Sequence, residues 1–191
     1  MIHQAPGIRT FIALPSSTQF KDALRKLQSS LIEERADVKW DSPDKFHITL
    51  KFLGNVVAEK IAEVSNSLAK VTLAADSFKL IYTLVGAFPD LERPRVIWVG
   101  AQPNDALASL QREVERACDQ LGFVREARAF HPHITLGRVK GSMNLARLTA
   151  KVKTVTFEPI MTDCSEVLLI KSDLRPTGSV YTTLKSFPLK A

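Results

Sequence analysis

The sequence predicts an α+β fold: a duplicated β-α-β-β-α-β unit forming two pseudo-twofold-related lobes, with antiparallel-rich sheets around a central cleft. Three observations predict it. The tetrapeptide His-Ile-Thr-Leu stands at His47–Leu50 and again at His133–Leu136, in a chain of 191 residues that holds only four histidines. Strand-like and helix-like segments flank both copies at nearly the same offset, as a duplication requires. Runs of period two alternate with runs of three-and-four spacing, the signatures of half-buried strands and amphipathic helices.

The elements follow in order. Arg9–Leu14 reads as a strand ending at Pro15, and Arg95–Gly100 as its counterpart, with Arg9 and Arg95 also 86 positions apart. A helix follows each. Ser17 is placed to cap the first, whose stripe is Phe20, Leu24, Leu27 and Leu31; Asn104 is placed to cap the second, with Leu107, Leu110, Val114 and Leu121. Val38–Trp40 and Phe123–Arg125 then read as short strands pairing with the histidine strands, and Asp41–Asp44 supplies a turn in the first half. Beyond the histidine strands come helices at Glu59–Val71 and Asn144–Val152, strands at Phe78–Gly86 and Thr154–Ile160, and tail strands at Glu166–Ile170 and Val180–Phe187. The repeats span roughly 8–86 and 94–161, and the tail strands within 165–187 pack on the lobes. Ala87–Pro94, rich in proline and charge, joins the halves. The tail stitches the lobes together, so residues 1–191 are expected to form a single two-lobed domain.

Within each tetrapeptide, alternation sends His and Thr to one face and Ile and Leu to the other. The apolar pair anchors the strand, leaving an imidazole beside a hydroxyl on the open face. An imidazole titrates near pH ~6.5 and exchanges protons at neutrality. Two of them across a cleft suit in-line displacement at phosphorus: one removes a proton from the attacking oxygen while the other protonates the leaving oxygen. Each such group contributes typically about 10²–10⁴-fold in rate, and Thr49, Thr135 and a nearby cation would hold the non-bridging oxygens. Arg138 and Lys51 are the candidate cations. Strict alternation puts Lys51 on the His47 face and Arg138 on the wrong one, so a bulge or strand end near Gly137 is required to bring Arg138 into the cleft. Phe11 is a candidate for stacking on a nucleobase, with a core role as its alternative.

Composition narrows the classes. Hydrophobic residues make up 45% of the chain, ample for a core, and the net charge of +6 favours an anionic partner. Cys118 and Cys164 are far apart and outside any CxxC pattern, which argues against a disulfide framework or thiolate metal site and for a reducing, cytoplasmic compartment. Met1–Arg9 lacks the apolar core of a signal peptide, and no run approaches the ~18 apolar residues of a spanning helix. His131 shares a face with His133 and could chelate a metal together with His47, but no carboxylate stands at ligand spacing, so no metal and no cofactor are expected. His3 is read as tail.

Phe46–Gly54 and His131–Arg138, together with Arg9–Leu14, Gly86–Pro89, Pro94–Gly100 and Gly178–Leu184, resemble the 2H phosphoesterases, and among them the RNA 2′,3′-cyclic phosphodiesterase (2′-5′ RNA ligase) branch. The resemblance spans nearly the whole chain. It implies metal-free hydrolysis of a terminal 2′,3′-cyclic phosphate to a 2′-phosphate, with His47 as proton donor to the leaving 3′-oxygen and His133 as the base that activates water. Thr49, Thr135 and Arg138 are implied to bind the phosphate. The expected partners are RNA ending in a 2′,3′-cyclic phosphate or small cyclic nucleotides, acted on by a monomer without membrane contact. Two alternatives share the cleft: a 2′-5′ RNA ligase or 2′-5′ oligonucleotide phosphodiesterase, and a non-catalytic nucleotide- or RNA-binding module.

Overall fold

The computed structural model describes residues 7–176 and 178–191; His3 lies outside them. The first half runs β1 (Ile8–Pro15), α1 (Thr18–Ile32), β2 (Val38–Trp40), β3 (His47–Val56), α2 (Ala58–Leu73) and β4 (Phe78–Phe88). The second runs β5 (Val96–Ala101), α3 (Asp105–Gln120), β6 (His133–Val139), α4 (Leu145–Thr154) and β7 (Ile160–Cys164); β8 (Glu166–Arg175) and β9 (Gly178–Pro188) follow. Local chemistry sets the starts of α1 and α3. Ser17 Oγ accepts from the Phe20 amide at 3.3 Å and Asn104 Oδ1 from the Leu107 amide at 2.9 Å, each satisfying an orphan donor of the first turn. The stripe of α1, Phe20, Leu24, Leu27 and Leu31, is buried throughout, as are Leu107, Leu110 and Val114 of α3. Among the described residues no helix is long and apolar enough to cross a membrane.

The described strands form two antiparallel sheets, ordered β3-β1-β8-β9 and β2-β6-β5-β4-β7. Neither sheet is complete within one half of the chain. β4 leaves the first half to pair with β5 and β7, and the tail strands β8 and β9 fill the corresponding places beside β1. The apolar members of both tetrapeptides, Ile48, Leu50, Ile134 and Leu136, lie buried in one continuous core.

Four expectations need correction. Val38–Trp40 is a strand, but it pairs with β6, the histidine strand of the other half, rather than with β3. Phe123–Arg125 is not a strand: Phe123 packs against the core, while Gly122 turns the chain in the left-handed region at φ +86° and leaves Val124 exposed. The strand expected at Thr154–Ile160 begins only at Ile160. Thr154 ends α4, its hydroxyl bonding back to the Ala150 carbonyl, and the alternating Val155 and Phe157 pack an irregular segment onto the core. The second half therefore reads β-α-β-α-β. Finally, β1 pairs Ile12 with Lys51 and β5 pairs Ile97 with Gly137, so equivalent positions in these strands are 85 apart and Arg9 and Arg95 do not correspond.

Trp98 crosses the sheet over Gly86 on the neighbouring strand. A Cβ at Gly86 would overlap the indole at Cζ2 and stand 2.5 Å from Cη2, both part of a rigid ring. Gly86→Ala is therefore expected to destabilise the protein by about 1–3 kcal/mol through overpacking, read as a lower denaturant midpoint at unchanged slope.

Candidate functional site

β3 and β6 approach each other across the space between the sheets, and each presents its histidine and threonine, half-buried, on the side away from the core. The two imidazoles are tethered alike. His47 Nδ1 lies 2.6 Å from the Lys45 carbonyl oxygen and His133 Nδ1 lies 2.7 Å from that of His131. A carbonyl oxygen only accepts, so in both rings Nδ1 carries the hydrogen and the neutral tautomer leaves Nε2 as the acceptor. Thr49 Oγ1 stands 3.1 Å from His47 Nε2 and donates to it in that state.

Two matching bulges decide which residues join them. In the β1–β3 pairing Ile12 faces Lys51 and Ala13 faces Thr49, so Leu50 is the extra residue; in the β5–β6 pairing Ile97 faces Gly137 and Trp98 faces Thr135, so Leu136 is extra. A bulge resets the alternation of faces. Leu50 and Lys51 are buried in succession, as are Leu136 and Gly137, and the next residues, Phe52 and Arg138, return to the cleft side. Parity arguments are thereby reversed for both cations. Lys51, its side chain 3% exposed, is engaged by Glu115 Oε2 at 2.7 Å and the Val124 carbonyl at 2.9 Å, whereas Arg138 stands at the cleft.

Gln28 ties the second bulge to α1. Its amide nitrogen donates to the carbonyls of Leu136, the extra residue, at 2.8 Å and of Asp41 at 2.7 Å, and the side chain is 5% exposed. The Asp41 carboxylate in turn pairs with the Arg138 guanidinium. The sequence pattern gives Gln28 no role and Asp41 only a turn, although a glutamine among the buried positions of an apolar stripe was a usable signal. Phe52 was also overlooked; it is 86 positions before Arg138, the spacing of the histidines.

Phe11 is not the exposed platform considered for base stacking. At 2% exposure it lies beside His47, ring centroids 4.9 Å apart, with Tyr181 edge-on to both. The exposed aromatic beside it is Phe52, at 64%. On the other wall Phe88 lies edge-on to His133, while His131 packs against Phe88 and Trp98. This apolar bedding has an electrostatic effect. Burial lowers the His47 pKa to about 4, with Arg138 and His133 adding to the shift against the opposing Lys45 hydrogen bond, and burial likewise lowers that of His133. Both rings are neutral at neutral pH.

The cleft has two compartments bordered by Phe52. One of about 330 Å³ is lined by Phe11, Lys45, Arg138 and Tyr181; the other, about 1180 Å³, is lined by Thr49, Phe88, His131 and His133. Comparison with known proteins settles the lineage. The family model described as LigT-like phosphoesterase matches residues 14–98 and again 99–181. The chain belongs to this family. The two successive matches follow the duplication and place one histidine strand in each. A Methanothermobacter thermautotrophicus protein named RNA 2′,3′-cyclic phosphodiesterase is 32% identical over 185 residues, covering 95% of this chain and 99% of the relative. A protein of the same name from Aeropyrum pernix is 35% identical over 163 residues, covering 84% and 92%. The crystal structure of E. coli LigT complexed with 3′-AMP matches with a TM-score of 0.79 at 26% identity, covering 98% of this chain and 100% of that one.

Two outcomes are expected. The folded His47 pKa lies below the unfolded value near 6.5, so the unfolded chain binds more protons between pH ~4 and ~6.5 and stability is lost as pH falls through that window. The contribution is on the order of 3 kcal/mol, and His47→Gln should flatten the stability–pH curve there relative to the wild type. Gln28→Leu takes the side-chain donor from the Asp41 carbonyl and one of two donors from the Leu136 carbonyl, which keeps the Asp41 amide at 2.8 Å, so it should cost about 1–3 kcal/mol of stability and weaken binding of inorganic phosphate. Titration calorimetry of the variant, at a temperature where it is fully folded, checks the second effect.

Proposed function

We propose that this protein is an RNA 2′,3′-cyclic phosphodiesterase that opens a terminal cyclic phosphate to a 2′-phosphate by acid/base catalysis from His47 and His133, without a metal ion. The observation that carries this reading is the tethering of both imidazoles through Nδ1, which leaves one Nε2 from each histidine strand for proton transfer. The names borne by relatives over nearly their whole length point the same way.

In this reading the cyclic phosphate sits between the two rings. His133 Nε2, neutral because burial lowers its pKa, takes a proton from water as the water oxygen bonds to phosphorus. The P–O3′ bond breaks opposite the attack, and His47 Nε2–H delivers its proton to the departing 3′-oxygen, giving a 2′-phosphate and a free 3′-hydroxyl. His47 must therefore be protonated when substrate is bound. The anionic phosphate favours the imidazolium, and the Thr49 hydroxyl can turn to accept from Nε2–H. Thr49, Thr135 and Arg138 hold the non-bridging oxygens, where charge builds in the transition state. Proton exchange with solvent restores both rings. The whole chain acts as one catalytic unit and as a monomer. Its unpaired, buried Cys118 and Cys164 suit the reducing cytoplasm to which we assign it.

His47→Ala and His133→Ala should each lower turnover of a 2′,3′-cyclic nucleotide by at least about 10²-fold, with an unchanged circular-dichroism spectrum. Wild-type turnover should be undiminished in excess EDTA, and product mapping should find the phosphate on the 2′-oxygen. Full turnover in both single variants would sink the mechanism; binding without turnover by the wild type would favour the non-catalytic alternative.

A further inference from the structure

The duplication predicts a strand at 123–125 to match β2, and the structure has none. β2 lies against β6, but among the described residues the equivalent edge of β3 carries no strand, and the chain from Val124 to Phe130 borders the larger cleft compartment instead. This segment is anchored from beneath by the buried Lys51, through the Val124 carbonyl and the Glu115 carboxylate. It brings Arg125 and Arg128 to the rim, and the junction between the halves brings Arg93 and Arg95 to the same cavity. All four arginines are exposed. Two glutamates, Glu115 and Glu126, also line the cavity; Lys51 neutralises the first, and Arg125 pairs with Asp119 at 2.8 Å, a carboxylate outside the lining. The cavity is thus cationic, and Phe52, Phe88 and Phe130 lie among the charges.

Its size is informative. At about 1180 Å³ it exceeds the roughly 300–1,000 Å³ of ordinary small-molecule sites, and a cyclic mononucleotide would leave much of it empty. Guanidinium groups that track a phosphate backbone, interleaved with aromatic rings on which bases stack, are the physical recipe for binding a single strand without reading its sequence. The trough opens directly from His133 and Thr49, and Phe52 borders both compartments, so a strand can pass from the terminal phosphate into it without leaving the protein surface.

We propose that this arginine trough is an extended subsite for the body of a single-stranded RNA, so that the enzyme selects oligonucleotide ends over free cyclic mononucleotides. The proposal rests on the phosphodiesterase reading for its reaction but not for its binding. The Arg125→Gln/Arg128→Gln double variant tests it, since neither residue belongs to the proposed catalytic machinery. Turnover of a 2′,3′-cyclic mononucleotide should stay within about twofold of wild type, while KM for a short oligoribonucleotide ending in a 2′,3′-cyclic phosphate should rise about tenfold, because two phosphate-binding cations are gone. The slope of log affinity against log salt should shrink by about 0.7 for each phosphate that is no longer neutralised. Fluorescence anisotropy with the same oligonucleotide ending in a plain 3′-phosphate reads binding without turnover. Loss of that binding and of its salt slope in the double variant supports the trough even if wild type cleaves neither substrate, which would defeat only the phosphodiesterase reading. Three results would overturn the proposal: an equal loss on both substrates, an oligonucleotide preference that survives the double substitution, or a preference abolished instead by Arg9→Gln/Lys140→Gln, at two cations that also line the smaller compartment.

Discussion

One extra residue at the equivalent point of each histidine strand governs the arrangement of the cleft. Leu50 and Leu136 interrupt their ladders at equivalent points, and the residues beyond them change faces. Without the second bulge Arg138 would point into the core and Gly137 would occupy the cleft; without the first, Lys51 would face the cleft and Phe52 would be buried. Each bulge costs ladder regularity, and the second is held by a buried glutamine that supplies both hydrogens of its amide to backbone carbonyls. Burial of such a polar side chain is tolerated because both of those hydrogens are used.

The duplication builds a symmetric frame, and substitution at equivalent positions makes it chemically unequal. The bulges place a phenylalanine at 52 where the second copy has an arginine at 138, so one wall offers an aromatic ring and the other a guanidinium. Lys51 answers to Gly137 in the same way. The lysine reaches beneath the 124–130 segment, while Gly137 lets β2 close in: a Cβ there would stand 2.7 Å from a Val38 methyl and 2.8 Å from the Trp40 ring. A nucleotide is itself unequal, with a base, a sugar and a phosphate. A duplicated site can serve it only after its copies have diverged in this manner.

Burial sets the protonation state from which any reaction starts. Both imidazoles lie against aromatic rings, and desolvation outweighs the backbone hydrogen bonds that favour the charged forms. Neutral rings are correct for taking a proton but not for giving one. An asymmetric mechanism therefore needs the substrate's own charge to protonate one of them. In the proposed mechanism, coupling proton uptake to anion binding would keep both imidazoles uncharged until substrate arrives, in a cleft already rich in fixed cations.

Much of this was legible in the sequence, because it is encoded locally. The repeated tetrapeptide, the caps at Ser17 and Asn104, the apolar stripes and the burial of Ile48, Leu50, Ile134 and Leu136 follow from periodicity and side-chain chemistry within a few residues. The family likewise follows from motifs read in order along the chain. Tertiary structure alone decided the phase of the strands after the bulges, the exchange of β2 and β4 into the second sheet, the burial of Phe11 and the fate of 123–125 as a loop. Each of these depends on a partner far away in sequence. Whether a strand skips a residue is set by the strand it pairs with and, at Leu136, by a glutamine 108 positions earlier, and no local pattern carries that information.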